Sequence, residues 1–384
     1  MIARHAAALF AERGFDAVRM DDIAAACGIT ARAVYRHYQN KQALLSHIVT
    51  TSQDRFLRSV TDEASGPDDL AALLTQLVTA SLDSPHFAVL WQREARYLAP
   101  DEITLLRGRL DRIVERITRA IQAATPALSA RHAEIRGWAV LSAITSPGHH
   151  DLALPRPQYD DLLVRACHSA IRAAPDAPRE RFADTVRTRT DAAGATLSSR
   201  REQILAAAAR AFRRTGYGSV GNSEIGAAVG IAGPAIYRHF DAKSEILVEL
   251  IRRYLEWLTH SLITHMARAD GEEPESVLRM VVRGYVQAGL DSPDLLAVRI
   301  TEWSSLPPAD ADRLGRWDAD LRSEWDLWVN RARPALSRAA AHALSLVTTT
   351  MIDDTLRVGR LHALTELPAE LEAMAYGVLT ETTW

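Results

Sequence analysis

The chain has almost no lysine, few cysteines and no long apolar run. Lys41 and Lys243 are the only lysines among its 45 basic residues, and all the others are arginines. Its two cysteines, Cys27 and Cys167, lie far apart without a metal-ligand spacing, which excludes a disulfide scaffold and indicates a reducing compartment. Because no window approaches about 18 uncharged apolar residues, no transmembrane helix is predicted. The apolar N-terminal stretch is too short for a signal peptide, so we expect a cytoplasmic protein without a membrane partner.

Glycine and β-branched runs are also sparse, whereas alanine, leucine and arginine dominate, a composition that favours helix. The 384 residues exceed one ordinary domain and predict at least two. An apolar fraction of 47% and a charged fraction of 24% are typical of a soluble globular protein. We therefore predict an all-α protein with more than one domain.

One segment occurs twice. AVYRHYQNK at 33–41 returns as AIYRHFDAK at 235–243, 202 residues later, and each copy ends on one of the two lysines. The alignment extends without a gap over residues 2–45 and 204–247. A repeat of this length predicts that the chain is built from two similar halves.

The similarity resumes farther along the chain, after a slip of six residues. SLDSPHFAVLWQRE at 81–94 aligns there with GLDSPDLLAVRITE at 289–302, so the duplication covers more than the first motif. Between the halves lies a polar, aperiodic stretch that is typical of a linker. The predicted domains are a first head at 1–47, a first body at 48–173, a linker at 174–198, a second head at 199–249 and a second body at 250–384.

Each half begins with a pattern of helix, glycine turn and short helix. A first helix is predicted to end near Gly14 or Gly216, and Gly28 or Gly230 turns the chain after a second, short helix. This order is that of a helix-turn-helix unit, whose second helix enters the major groove of DNA. The predicted DNA-contacting residues are Arg19, Thr30, Arg32, Ala33, Tyr35, Arg36, His37 and Lys41 in the first half and Asn222, Ser223, Pro234, Ala235, Tyr237, Arg238, His239 and Lys243 in the second.

The two lysines are predicted to begin the long fourth helix of each half, after polar turns capped by Asn40 or Asp241. A cation near a helix N-terminus opposes the helix dipole, so helix stability does not explain a lysine there. We interpret both lysines as contacts to DNA phosphates. The alternative is that two lysines align by chance.

The charge distribution also indicates contact with DNA. The net charge of −3 does not by itself indicate a nucleic-acid-binding protein. Residues 1–60 and 199–260 nevertheless each carry an excess of three positive charges, and the remainder is acidic. Two basic segments on an acidic body would attract an anionic polymer to two places.

The segments TARAVYRHYQNKQALL and AGPAIYRHFDAKSEIL resemble the signature helix of the TetR family of bacterial transcriptional regulators. VLWQREARYLAPDE and RGWAVLSAITSPGHH are also similar to the mycobacterial double-TetR repressors of mammalian-cell-entry (lipid import) operons. The resemblance implies two fused units, each with a three-helix DNA-binding head and a helical ligand-binding body. Two departures stand out: Met1 falls inside the first helix, and AGPAIY lacks the pair Thr30 and Arg32.

Ser84-Pro85 and Ser292-Pro293 each predict an N-cap serine followed by a helix. These helices place a glutamate on their apolar face, Glu94 in the first half and Glu302 in the second. A buried carboxylate requires a partner or a shifted pKa. The alternatives are an internal ion pair with Arg93, Arg96 or Arg299 that joins body to head, and a ligand contact. The candidate pocket residues are Trp91, Glu94, Tyr97, Trp138, Arg299, Glu302, Trp303 and Trp325, although aromatic residues at helical spacing also occur as plain core.

These features predict a ligand-responsive DNA-binding regulator, a repressor, that is not an enzyme and has no cofactor. Its partners would be a double-stranded DNA operator and a small apolar effector, lipid-like or acyl. Heads with different recognition helices would read an asymmetric operator. In the TetR-like arrangement the last two helices of each body, about 131–173 and 335–382, would pair the halves as an intrachain pseudo-dimer, with a further homodimer left open.

Two other functions stay open. SPGHHD at 146–151 offers His149, His150 and Asp151 to a metal-dependent enzyme, but adjacent histidines on a helix point in different directions and indicate a solvated helix end. No metal site is therefore expected, and no nucleophile elbow, phosphate loop or dinucleotide fingerprint occurs. The other alternative is a ligand-binding or interaction protein with only one active head.

Overall fold

The computed structural model describes residues 1–61, 69–149, 154–175, 199–269, 271 and 273–382. All regular secondary structure in these ranges is helical, which confirms the all-α prediction. The predicted linker at 174–198 lies outside the described residues except for its first two positions. Within the described ranges, no helix is both long and apolar enough to cross a membrane.

The first unit contains nine α-helices among its described residues. They are α1 (Ile2–Arg13), α2 (Met20–Cys27), α3 (Ala31–His37), α4 (Lys41–Thr61), α5 (Leu70–Leu82), α6 (Phe87–Val89), α7 (Pro100–Ala124), α8 (Ala130–Thr145) and α9 (Arg156–Arg172). Short π and 3₁₀ turns at Leu90–Glu94 and Ala95–Tyr97 follow α6, and a 3₁₀ turn at Ser146–His149 follows α8.

The second unit repeats this order. Its helices are α10 (Arg200–Thr215), α11 (Asn222–Ala228), a 3₁₀ helix (Gly233–Arg238), α12 (Lys243–Met266), α13 (Pro274–Asp291), α14 (Pro293–Glu302), α15 (Pro308–Ala332), α16 (Arg338–Leu356) and α17 (Leu367–Glu381). Shorter 3₁₀ turns lie at Trp303–Ser305 and Gly359–Ala363.

One reason for the repeated sequence is that equivalent positions form the hydrophobic core of each head. Five positions that are buried and apolar in the first head are also buried and apolar 202 positions later, in the second head. These pairs are Phe10 and Phe212, Ile23 and Ile225, Val34 and Ile236, Leu44 and Ile246, and Leu45 and Leu247. Each pair keeps a large apolar side chain at the centre of the three-helix head, where loss of volume is costly.

The predicted helix boundaries are largely correct. Gly14 and Gly28 adopt positive φ values of 81° and 66°, which favour glycine, at the ends of α1 and α2. The Thr30 hydroxyl accepts a hydrogen bond from the Ala33 N–H at 3.3 Å, as expected of an N-cap. Asn40 caps α4, but the corresponding prediction for Asp241 is wrong, because the residue that precedes α12 is Ala242.

The units differ in the segment that follows the predicted cap serines. In the second unit Ser292 precedes the regular helix α14, as predicted. In the first unit the chain after Ser84 forms only α6, and then a π turn and a 3₁₀ turn. The helix predicted after Ser84 is therefore divided, and π turns of this kind are frequent at functional sites.

Helices α8 and α9 of the first unit pack against α16 and α17 of the second. These are the segments predicted to pair the halves, and they form a four-helix interface within one chain. A buried ion pair crosses it, because Arg136 Nε on α8 lies 2.7 Å from Glu370 Oε2 on α17. One hydrophobic core runs from the first head through both bodies, and a second joins the second head to its own body.

Candidate nucleic-acid interface and effector cavity

The third helix of the first head presents most of its predicted DNA-contacting residues to solvent. Val34 is the residue of α3 that is buried against the head. The side chains of Arg32, Tyr35, Arg36 and His37 are exposed, and Ala33 is half-buried. An exposed row with two guanidiniums, a phenol and an imidazole offers donors to base edges and phosphates in a groove.

The second head presents a shorter and tighter element. Its recognition segment is the 3₁₀ helix Gly233–Arg238, in which Ile236 is buried while Pro234, Tyr237 and Arg238 are exposed. Ala235 and His239 are half-buried. A 3₁₀ helix has about three residues per turn, so side chains three apart align along its axis. The two heads therefore differ in backbone as well as in side chains.

Two glycines explain the close approach of helices in the second head. A Cβ at Gly226 would lie 2.8 Å from the carbonyl oxygen of Ile231, and one at Gly233 would lie 2.9 Å from the Ser223 hydroxyl oxygen. Both distances are too short for real Cβ contacts. The helix α11 and the recognition segment can pack this closely only because these positions lack a side chain.

The remaining predicted DNA contacts lie at the start of the second helix of each head. Arg19 precedes α2, with an exposed side chain and a backbone N–H that donates to Asp22 Oδ2 at 2.7 Å. Asn222 and Ser223 open α11, where Asn222 is half-buried and Ser223 exposed. These positions flank the recognition elements, and their contact with DNA stays a prediction.

The interpretation that only a phosphate explains the two lysines is wrong. The Lys41 ammonium donates hydrogen bonds to the carbonyl oxygens of Phe15 and Val18, at 2.5 and 2.9 Å, and lies 4.2 Å from the centre of the Phe15 ring. Burial lowers its pKa. A cation here stabilises the turn between the first two helices, so the folded head explains it without DNA.

Lys243 repeats this arrangement in the second head. Its ammonium donates to the carbonyl oxygens of Tyr217 and Val220, at 2.8 and 2.9 Å, and lies 4.2 Å from the Tyr217 ring centre. The two lysines therefore share a structural role. A guanidinium is larger and planar, whereas a compact ammonium can place its donors on two converging carbonyls beside a ring.

The two buried glutamates have arginine partners, as the ion-pair alternative expected. Glu94 is 2% exposed and lies 3.7 Å from Arg93, and a backbone hydrogen bond from Phe15 ties it to the first head. Burial raises the pKa of Glu94, against the opposing effect of Arg93 and Arg96. Glu302 is wholly buried and binds Arg96, a residue of the other unit.

The same junction brings the two heads together. Tyr97 stacks on Phe15 with 4.5 Å between ring centres, and its hydroxyl donates to Asp16 at 2.5 Å. Asp16 in turn approaches the second head, since a Cβ at Gly218 would lie 2.7 Å from its Oδ2. The spacing of the heads is therefore set by direct contacts between them and by the body segment that carries Tyr97.

A cavity of about 670 Å³ lies in the second body, among α12, α13, α14, α15 and α16. Arg299, Trp303 and Trp325 of the predicted pocket residues line it. His149 of the first unit also reaches this cavity, so the cavity lies at the junction of the two units. A volume of this size suits a small-molecule ligand.

The cavity wall is polar on one side. Arg299 binds Asp318 at 2.5 Å and Asp353 at 3.3 Å, and the Tyr285 hydroxyl donates to Asp353 at 3.1 Å. Burial raises the pKa of Asp353 to about 6, against the opposing effect of Arg299. This charged network was missed at the sequence level, although the adjacent carboxylates in TTTMIDDTLR, inside a helix of small and apolar residues, were a usable signal.

Five of the predicted pocket residues lie elsewhere. Glu94, Tyr97 and Glu302 belong to the unit junction. Trp91 is half-buried beside the shared core, and Trp138 is buried in α8 beneath the guanidinium of Arg360. For these two tryptophans the plain-core alternative describes the structure better than pocket lining.

The histidine cluster gives no support to a metal site. His149 is half-buried and lies 3.8 Å from Asp354, and desolvation together with the charges of Arg357 and Arg93 lowers its pKa to about 4. The interpretation of a solvated helix end is therefore wrong for His149. His150 and Asp151 lie outside the described residues. Over the part of the chain that the structure covers, no three His, Cys, Asp or Glu side chains form a group that could hold a metal ion.

Comparison with known proteins identifies both heads. Residues 2–48 and 204–250 each match the family described as bacterial regulatory proteins, tetR family. The HTH-type transcriptional repressor KstR2 of Rhodococcus jostii (strain RHA1) is 35% identical over 101 residues, which are 25% of this chain and 50% of that protein. The chain thus covers only half the length of this curated relative.

Solved structures of similar fold each correspond to about half of the chain. A TetR-family transcriptional regulator from Bordetella parapertussis 12822 has 20% identity and a TM-score of 0.44, over 48% of this chain and 95% of that one. The ketosteroid transcriptional regulator KstR2 of Mycobacterium tuberculosis has 21% identity and a TM-score of 0.40, over 49% and 97%.

The chain is thus an all-helical protein with two helix-turn-helix heads on two packed bodies. Each head matches the family described as bacterial regulatory proteins, tetR family, with one match in each half of the chain.

Proposed function

We propose that the chain is a ligand-responsive transcriptional repressor that reads an asymmetric DNA operator with its two heads. The observation that carries the proposal is the presence of two family domains whose exposed recognition residues differ. The repressor named among the relatives supports the direction of regulation. The cavity in the second body supports control by a small-molecule effector, and we propose that this effector is a lipid-like or acyl compound.

The heads would read DNA through their exposed recognition residues. Arg32 and Arg36 in the first head, and Arg238 in the second, suit guanine edges or phosphates. Tyr35 and Tyr237 suit phosphates, and so do His37 in the first head and His239 in the second. Because the second head has Gly233 and Pro234 where the first has Ala31 and Arg32, its direct contacts with bases are fewer.

The operator would be asymmetric. A regulator with two identical heads reads a palindrome, since each head makes the same contacts with its half-site. Two different heads in one chain favour two different half-sites, about one helical turn (~34 Å) or a multiple apart. Fusion also means that the second head binds at an effective concentration set by the first head rather than by dimerisation.

The effector would act through α14 and α12. Arg299 and Trp303 line the cavity, and they precede and follow Glu302 in the sequence. Glu302 forms an ion pair with Arg96 of the first unit. Leu258 and Leu262 line it from α12, the long helix that begins at Lys243 in the second head. A ligand that prefers a different position of these helices would change the spacing of the heads and release DNA.

The test is binding of the full chain to the DNA upstream of its own gene, by mobility shift and footprinting across a salt series. Arg36→Ala removes an exposed guanidinium from the first head and Arg238→Ala one from the second. Arg119→Ala, an exposed arginine toward the far end of α7, is the matched control. We expect each head variant to weaken binding and to lower the salt slope by about one, and the control to do neither.

Three results would change the proposal. If only Arg36→Ala weakens binding, the chain binds with one head, and the second unit acts as a sensor or interface. If the footprint is a palindrome, the proposal of an asymmetric operator fails. If neither variant matters while the protein remains folded, the repressor function itself fails.

A further inference from the structure

We infer that the cavity of the second body takes an amphiphile whose polar end donates hydrogen bonds and carries positive charge, and that Asp353 receives it. The inference rests on the proposed function. It deepens that proposal because it narrows the effector from a lipid-like or acyl compound to an amphiphile with one kind of head group. It is carried by three observations: an acceptor without a partner, an excess of carboxylates, and an apolar wall beside them.

Asp353 provides the unpartnered acceptor. The residue is 9% exposed and lines the cavity from α16. Its Oδ2 receives the Tyr285 hydroxyl and the Arg299 guanidinium, whereas its Oδ1 accepts no hydrogen bond from any described residue. A buried acceptor without a donor is costly, so a ligand that supplies the donor gains more here than at an exposed carboxylate.

The charges of the cavity wall disfavour an anionic ligand. Both guanidiniums that line it, Arg299 and Arg322, are bound to Asp318. Four carboxylates line the same cavity, and Arg357, outside the lining, pairs with Asp354 at 3.7 Å. Four carboxylates therefore meet three guanidiniums, and negative charge exceeds positive charge before any ligand enters. A carboxylate or phosphate head group would have to displace an existing ion pair, whereas an ammonium group would reduce the excess.

The protonation state of Asp353 supports this choice. Burial raises its pKa to about 6, so the carboxyl is largely ionised at neutral pH in spite of the cost of burial. A cation placed beside Oδ1 lowers that cost, since opposite charges within a few ångströms stabilise each other.

The rest of the wall suits an apolar tail. Leu258 and Leu262 contribute from α12, Leu321 and Trp325 from α15, and Leu346 from α16. Trp325 is fully buried and meets the Tyr285 ring edge-on at 5.3 Å between centres. The ligand is therefore expected to lie with its tail among these side chains and its head toward Asp353.

The inferred head-group site exists in only one half of the repeat. Ser129 and Ser337 cap α8 and α16, which sets an offset of 208 residues between the two helices. At this offset Thr145 stands in the first unit where Asp353 stands in the second, and Trp91 stands where Arg299 does. We therefore expect one ligand of this class per chain.

The test uses three probes with one tail and different heads: dodecylammonium, dodecanol and dodecanoate, each below its micelle concentration. Their binding to the full chain is measured by calorimetry and by the shift in melting temperature at pH 7.5. We expect one equivalent of dodecylammonium to bind, dodecanol to bind more weakly, and dodecanoate to bind at least about tenfold more weakly than the amine. Dodecanoate binding as tightly as the amine would overturn the inference, and this ranking requires no variant.

A substitution at Asp353 then tests whether this residue receives the head group. Asp353→Asn should reduce the affinity for dodecylammonium at least about tenfold and leave that for dodecanol nearly unchanged. Asp312→Asn removes the same charge from an exposed position of α15 outside the cavity and should change neither. Equal amine affinity in the wild type and in a folded Asp353→Asn variant would refute the assignment to Asp353.

DNA binding without any probe separates this inference from the proposed function. If the chain binds its upstream DNA but shows no preference for the amine, the head-group inference fails and the repressor proposal stands. If the amine binds through Asp353 but no DNA is bound, the repressor proposal fails and the cavity assignment stands.

Discussion

Arg96 of the first unit and Glu302 of the second form an ion pair across the boundary between the two halves. The guanidinium donates to both carboxylate oxygens, with 3.2 Å between Nη2 and Oε2, and Glu302 is wholly buried. The same guanidinium lies against Gly216, where a Cβ would come within 2.3 Å of Nη1. One arginine thus connects the first body, the second body and the second head.

Removing Arg96 should be strongly destabilising, because it leaves a buried carboxylate without its charged partner. We expect Arg96→Met to lower the free energy of unfolding by roughly 3–5 kcal/mol, and Arg96→Met with Glu302→Leu to recover much of this loss. Urea unfolding of the single and double variants measures both. Equal stability of Arg96→Met and the wild type would show that this ion pair does not hold the units together.

The two lysines should contribute to the stability of the heads. Lys41→Met and Lys243→Met each leave two backbone carbonyl oxygens, in the turn between the first two helices of the head, without their donor, so we expect each variant to lose about 1–3 kcal/mol of stability. Thermal unfolding followed by circular dichroism measures the loss. An unchanged melting temperature with a lower salt slope for DNA binding would restore the phosphate interpretation.

The close helix packing of the second head can be tested at Gly226. Gly226→Ala would place a Cβ 2.8 Å from the Ile231 carbonyl oxygen, so we expect a loss of about 1–3 kcal/mol and weaker DNA binding through the second head. Gly108→Ala in α7 is the control, because a Cβ there meets nothing within 4 Å and alanine favours the helix. A Gly226→Ala variant as stable as Gly108→Ala would contradict the packing argument.

Asp353 should make stability depend on pH in a defined window. Its pKa is raised from 3.8 to about 6 in the folded chain, so between about pH 4 and 6 the folded state binds more protons than the unfolded state. The contribution of Asp353 to stability therefore falls as the pH rises through this window.

Asparagine at position 353 does not titrate, so it provides the reference for this effect. The unfolding free energy of the wild type minus that of Asp353→Asn should fall by roughly 2–3 kcal/mol between pH 4 and 6, and stay constant from pH 6.5 to 8. Denaturant unfolding at five or six pH values measures the difference. A difference that rises with pH would mean that the carboxylate is stabilised, and not penalised, by its surroundings.

Pairing of the two units within one chain predicts a monomer. The helices that join the units, α8 and α9 with α16 and α17, already bury their faces against each other, and Arg136 and Glu370 pair inside this interface. Light scattering on the purified chain should therefore give a mass near 42.3 kDa. A mass of twice that value would indicate a further homodimer with four heads.

The sequence predicted the helical class, the duplication and the head architecture because these depend on local signals. Gly28 ends a helix through its positive φ, and Thr30 caps the next through its own hydroxyl. Both features need only neighbouring residues. The exposed recognition residues could be predicted for the same reason, since the helical period separates them from buried positions such as Val34.

Predictions that required knowledge of distant partners were less successful. The helix predicted after Ser84 is divided, and its glutamate and arginines contact the head and the other unit instead of a ligand. Trp91 and Trp138 were candidates for pocket lining or plain core, and Trp91 packs beside the core while Trp138 is buried in α8. The partners of this segment lie far away in the sequence: Ala11 is 82 positions from Arg93, and Glu302 is 206 positions from Arg96.

By itself, the sequence determined that this chain is all-helical and carries two helix-turn-helix heads, because caps, glycine turns and helical periodicity act over a few residues. Only the tertiary structure decided what the repeated lysines, buried glutamates and paired aspartates do. The ammonium of Lys41 donates hydrogen bonds to carbonyl oxygens of its own head, Glu302 binds Arg96 from the other half, and Asp353 lines a cavity. A charge acquires its role from the groups within a few ångströms of it, and those groups come together only in the folded chain.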